Sequence, residues 1–218
     1  MTIDFKQNPC GESHPFLLIS AAMLSTSDSE IPLLRGPVAL SHLLARCFVR
    51  PGDRAVDATC GNGHDTLLLA GLVGSQGHVW GFDVQQPAIV ETGRKLVGAG
   101  LAERVTLLHS GHEHLARYLA VPLQAVMFNL GYLPGGDRAV VTRPETTLNA
   151  LEQSLQLLAP TGVVLMTIYP GHSGGDDERQ AVDGWAAALD PRKYHSWRMG
   201  QLNVACDAPY CIIIQKAC

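Results

Sequence analysis

Residues 54–66 read Arg54-Ala55-Val56-Asp57-Ala58-Thr59-Cys60-Gly61-Asn62-Gly63-His64-Asp65-Thr66, and this stretch decides the fold. A short apolar run ends on a carboxylate, a turn carries two glycines, and a helical pattern opens at Asp65. Strand, glycine turn and helix start, in that order, make a cradle for a nucleoside. Glycine allows a positive φ and a close approach of backbone to ligand, and the first amides of a helix have no partner within it. Asp83 ends the next apolar run, where a carboxylate accepts the hydroxyls of a ribose.

Outward from the cradle the pattern alternates. Apolar runs at 54–59, 78–84, 104–110, 123–130 and 162–169 predict strands, and the stretches 65–73, 87–99, 112–119 and 144–158 predict helices. A further helix is expected from about Pro37 to Val49, where Leu40, Leu43, Leu44 and Phe48 recur at helical spacing and Pro51-Gly52 stops it. Strict alternation implies an α/β fold, with a mostly parallel sheet and helices on both faces. After a helix near 177–189 come two apolar stretches, 194–204 and 209–216. The gap Ala205–Ala208 cannot hold a crossover helix, so these stretches predict a C-terminal antiparallel hairpin and a seven-stranded sheet. Dinucleotide dehydrogenases end on a parallel sixth strand; the hairpin is the habit of Rossmann-like S-adenosylmethionine (SAM) methyltransferases.

Composition bounds the rest. The 218 residues carry a formal charge of −4, which excludes a uniformly basic nucleic-acid coat but leaves room for a local patch. Such a patch is expected from Arg138, Arg143, Arg179, Arg192, Lys193 and Arg198, which follow the fourth strand. Six cysteines without a CxxC pair, and histidines without ligand spacing, predict reduced thiols and no metal. With no run of eighteen apolar residues and no leader pattern, the expectation is a cytoplasmic protein without a membrane partner. Residues 1–34 lack sustained periodicity and are expected to be an extension of one domain over 35–218. The oligomeric state stays open, with a homodimer admitted.

The turn lacks the third glycine of a dinucleotide fingerprint and has Asp65-Thr66 instead. A carboxylate there repels a pyrophosphate and suits an ammonium group and a sulfonium, which SAM carries. The plainer alternative makes Asp57 a strand-end turn residue and Asp65 a helix cap. His112, just after the third strand, is either an adenine contact or a surface residue on a first helical turn.

The fourth strand ends in Asn129-Leu130-Gly131-Tyr132-Leu133-Pro134-Gly135-Gly136-Asp137. Ligands of such sheets bind at the carboxyl ends of strands, so this loop is expected to face the cofactor. Amino methyltransferases carry an Asn/Asp-Pro-Pro-Tyr/Phe tetrad here, and Asn129-Leu130-Gly131-Tyr132 is a relaxed version of it. The amide oxygen of Asn129 then accepts an amine N–H, Tyr132 packs on the substrate, and Asp137 is either a proton acceptor or a turn residue. His172, in the glycine-rich loop after the fifth strand, is either part of a substrate lip or of a solvated connection.

Together, Val56 to Thr66, Gly81-Phe82-Asp83-Val84-Gln85, Phe128 to Asp137 and Gly171-His172-Ser173-Gly174-Gly175 resemble the MnmM (YtqB) methyltransferases of tRNA, from about Leu34 to Lys216. The resemblance implies methyl transfer from SAM to the primary amine of 5-aminomethyl(-2-thio)uridine at the tRNA wobble position, giving the 5-methylaminomethyl form. It implies cofactor contacts at Asn62, Asp65, Asp83, Gln85 and His112. Gly111 stands where serine is expected before His112. The expected cofactor set is thus Asp57, Gly61, Asn62, Gly63, Asp65, Thr66, Asp83, Gln85, Gly111 and His112. Asn129, Tyr132 and Asp137 are the expected catalytic residues, and Leu133, Pro134, Gly135 and His172 the expected substrate contacts. Alternatives are a methyltransferase of rRNA or of a small amine, and a non-catalytic SAM- or RNA-binding module. A nicotinamide oxidoreductase would need the missing glycine.

Overall fold

A computed structural model describes residues 33–131, 133, 135, 140–170 and 175–217. The expectations for Tyr132, Pro134, Asp137, Arg138 and His172, and for almost all of residues 1–34, lie outside the described residues.

The chain runs α1 (Gly36–Phe48), β1 (Arg54–Asp57), α2 (His64–Val73), β2 (His78–Asp83), α3 (Gln86–Gly98), β3 (Val105–His109), α4 (Leu115–Tyr118), β4 (Leu123–Leu130), α5 (Pro144–Leu157), β5 (Leu158–Ile168), α6 (Gly175–Ala187), β6 (Tyr194–Met199) and β7 (Tyr210–Lys216). The seven strands form one sheet in the order β3-β2-β1-β4-β5-β7-β6. The first five strands pair in parallel, and β7 runs antiparallel to both β5 and β6. The order reverses between β1 and β4, the switch point at which an open α/β sheet leaves a crevice.

Successive side chains of a strand point to opposite faces, and β4 shows why its middle, Ala125 to Phe128, is an unbroken apolar run. Ala125 and Met127 pack in one cluster with Ala45 of α1, Leu69 and Val73 of α2 and Leu96 of α3. Val126, Phe128 and Leu130 pack in another with Leu115 of α4, Leu151 and Leu155 of α5 and Val182 of α6. Both faces are buried, so no polar alternation survives.

Three boundaries differ from expectation. β5 begins at Leu158, directly after α5, rather than at Gly162; Thr161 takes φ +63°, and the ladder with β4 shifts register between Leu123 and Ala125. The apolar stretch 194–204 is a strand only to Met199, because its ladder with β7 ends at the Met199–Cys211 pair; Leu202 beyond it is 100% exposed and so contributes nothing to the core. The expected helix at 112–119 is a 3-10 turn, His112–His114, followed by the single turn of α4.

Candidate active site

The carboxyl ends of β1, β2 and β4 converge on a cavity of about 600 Å³. The turn after β1 forms its floor. Gly63 caps α2 with φ +80°, and a Cβ there would lie 2.8 Å from the Thr92 hydroxyl oxygen, so only glycine fits. Gly61 has φ +51°, and its Cβ would come within 3.1 Å of Leu133, which also lines the cavity. The loop is pinned from α3, where Thr92 Oγ1 donates to the Gly61 carbonyl at 3.2 Å and Lys95 Nζ to the Asn62 carbonyl at 2.7 Å.

Asp57 is fully buried beneath this turn. It accepts the Thr66 hydroxyl at 2.5 Å and the Thr59 N–H at 3.1 Å. Burial, and then the negative charge of Asp65, push its carboxyl up to about 7. Neither Asp57, Thr66 nor Gly63 lines the cavity; all three shape the turn from behind. Gly135 likewise is not on the wall.

Gly61, Asn62, Asp65, Asp83, Gln85, Gly111, His112, Asn129 and Leu133 do line it. Asp83 accepts the N–H of Gly61 and the N–H of Gln85, each at 2.8 Å. Asn129, near the end of β4, donates its backbone N–H to Thr59 Oγ1 at 2.8 Å and its side-chain Nδ2 to Asp65 Oδ2 at 2.6 Å. A carboxylate only accepts, so the NH2 end of Asn129 must face Asp65 and the oxygen is the end turned to other partners. The second oxygen of Asp65 lies 2.5 Å from Nε2 of His42 on α1.

His112 is buried, with Nδ1 3.2 Å from the Ala58 carbonyl. A carbonyl needs a donor, so Nδ1 carries the hydrogen and Nε2 is an acceptor. Burial lowers the ring's pKa and keeps it neutral, and Nε2 has no hydrogen-bond partner among the described residues. An unpartnered buried acceptor is costly unless a donor arrives, as the amino group of an adenine would.

These features fit SAM. Asp65, Asp83 and Glu113 give the wall acceptors for ribose hydroxyls and negative charge for an ammonium and a sulfonium, and the cavity volume is that of an ordinary cofactor site. Sequence reasoning missed Glu113, Tyr169, Val38 and the run Val140-Val141-Thr142, all on the wall, and His42 behind it; Arg143, expected only as a member of the basic patch, stands on the wall as well. The 140–143 segment is held by Glu178, a buried carboxylate of α6 that accepts the hydroxyls of Thr142 and Thr147, both at 2.6 Å.

Three of the six residues of the expected basic patch are ion-paired. Arg179 pairs with Asp176 and Asp183, Arg192 with Asp190, and Arg198 with Asp183. Arg143, on the cavity wall, has no carboxylate partner among the described residues.

Comparison with known proteins agrees with this geometry. The family model described as "Putative rRNA methylase" matches residues 79–215, more than half of the chain. A chloroplastic protein of Arabidopsis thaliana named tRNA (mnm(5)s(2)U34)-methyltransferase is 33% identical over 174 residues, 75% of this chain; the chain spans 64% of that protein's length. A solved "putative rRNA-methylase" of Clostridium thermocellum has 42% identity and a TM-score of 0.82, covering 84% of this chain and 99% of the other. SMU.1697c of Streptococcus mutans, a "putative methyltransferase" solved in complex with S-adenosylhomocysteine (SAH), has 34% identity and a TM-score of 0.77 over the same shares. The chain is a SAM-dependent methyltransferase and belongs to the family described as "Putative rRNA methylase".

Proposed function

We propose that the enzyme methylates the primary amine of 5-aminomethyl(-2-thio)uridine at the wobble position of tRNA, giving the 5-methylaminomethyl form. The observation that carries this reading is the orientation of Asn129: its NH2 is committed to Asp65 at 2.6 Å, and its oxygen, without a hydrogen-bond donor among the described residues, is turned to accept an amine N–H at the cavity. The name of the Arabidopsis relative and the resemblance of the Asn129–Asp137 segment to tRNA amine methyltransferases support the same substrate.

SAM, when bound, supplies a methyl group on a sulfonium, an excellent leaving group, so the protein's contribution is mainly alignment. Asn129 holds one N–H of the acceptor, which aims the nitrogen lone pair along the line of displacement. Asp83 takes the ribose hydroxyls, Gln85 continues that wall, and His112 Nε2 takes an N–H of the adenine. An ammonium has no lone pair to attack with, so a proton must leave before transfer. In this reading Asp137 receives it, and Tyr132 packs on the uracil beside Leu133 and Pro134. In this reading the enzyme meets its tRNA in the cytoplasm.

The test is incubation of the purified protein with SAM and tRNA bearing 5-aminomethyl-2-thiouridine, followed by nucleoside mass spectrometry. The expected product is 5-methylaminomethyl-2-thiouridine. Methylation of rRNA, or of a free amine, with the tRNA nucleoside unchanged would replace this substrate by the other.

A further inference from the structure

We infer that His42 is a positioning residue for methyl transfer, acting through Asp65 on Asn129. The inference rests on the amine-presenting role of Asn129 given above. His42 belongs to α1, which precedes the cofactor turn and reaches the cavity wall only through Val38 among the described residues. Its Nε2 nevertheless lies 2.5 Å from one oxygen of Asp65, while the other oxygen accepts Nδ2 of Asn129 at 2.6 Å. The three side chains form an unbroken chain from helix to strand end.

Two donors on two different oxygens fix the carboxylate plane. With Asn129 alone, Asp65 can turn about its terminal torsion, which is broad for an sp³–sp² bond, and the amide turns with it. Asp65 is only 5% exposed, so water is a poor substitute for His42. The His42 side chain keeps 27% of its exposure and forms the outer end of the chain. α1 is held in turn to the sheet, for Cys211 Sγ of β7 donates to the Pro37 carbonyl at 3.0 Å. α1 thereby sets the angle of an amide two elements away, a precision that transfer chemistry rewards because small misplacements are costly.

The test uses the full chain. His42→Ala should lower kcat on tRNA bearing the aminomethyl group about tenfold, a fraction of the loss that gross misplacement causes, with SAM affinity by calorimetry within about twofold. His42→Gln, whose NH2 can reach the same oxygen, should recover most of the turnover. The double variant His42→Ala/Asn129→Ala should be no slower than Asn129→Ala alone, since residues acting as one unit are non-additive. Independently of any RNA, the side-chain NH2 resonances of Asn129 should shift and exchange faster in His42→Ala. Unchanged resonances, multiplicative losses in the double variant, or a joint fall of melting temperature and SAM affinity that Gln does not rescue would each overturn the inference. If wild-type protein leaves the tRNA nucleoside unmodified while the Asn129 resonances still respond to His42, the substrate is wrong and the positioning chain stands.

Discussion

The carboxylate of Asp83 accepts the backbone N–H of Gly61 at 2.8 Å, tying the end of β2 to the glycine turn after β1. With its other oxygen on the Gln85 N–H, Asp83 sets the shape of the turn and still offers lone pairs to a ligand. Asp83→Ala is therefore expected to weaken SAM binding by about 1.5 to 3 kcal/mol, the scale for losing a charged acceptor. Titration calorimetry checks it, and unchanged affinity would remove Asp83 from the ribose site.

Asn129→Ala separates presenting the amine from holding the cofactor. Turnover should fall on the order of a hundredfold while SAM affinity stays close to wild type, because alignment matters only as the reaction proceeds. Single-turnover methylation, measured beside SAM affinity and melting temperature, decides between this and a merely structural tie. Near-normal methylation by a folded variant would end the assignment.

Asp57 predicts a pH dependence of stability. In the fold its carboxyl is pushed from the ordinary 3.8 up to about 7, chiefly by burial and then by Asp65. A raised carboxylate pKa means that the folded state holds a proton that the unfolded chain has already lost. The contribution is present in full below about pH 4 and is lost as pH rises through about 7. Asp57→Asn removes this titration but keeps an acceptor in the turn. The melting temperature of the variant, relative to wild type, should rise between pH 4 and 7 and stay level above. A flat difference curve would show that Asp57 stays ionised in the fold.

RNA binding should lean on Arg143 more than on the other described arginines of the expected patch. Arg179, Arg192 and Arg198 each have a carboxylate partner, whereas Arg143 has none among the described residues and stands on the cavity wall. Arg143→Ala should weaken tRNA binding and lower the slope of log affinity against log salt by about one unit. Filter binding across a salt series measures both, and a larger effect from Arg192→Ala would place the phosphate path along the far side of α6.

The parts of the site that lie on strand ends were legible in the sequence. Asp83 and Asn129 close apolar runs whose direction the alternation dictates, and the parallel sheet puts both ends on one edge. His42 left no such signal, because it sits on an amphipathic helix among core residues and its role exists only once α1 lies against α2. Glu178 was hidden for a similar reason: its partners Thr142 and Thr147 are 36 and 31 residues away. The hairpin was legible in kind but not in length. Leu202 and Val204 extend the apolar pattern of β6, and only the position of β7 shows that the ladder has already ended.

The place of β7 also bears on how the protein is made. Tyr210–Lys216 is an interior strand between β5 and β6, yet it is the last of the seven to leave the ribosome. Until it emerges, β6 has no partner and the edge of β5, carrying Val163, Val164, Leu165 and Met166, stands open. An unpaired apolar edge is a template for pairing with other chains. The nascent enzyme thus passes through an aggregation-prone interval that closes only when Ile212, Ile213 and Ile214 dock, and a stop codon ahead of Tyr210 would leave that interval permanent.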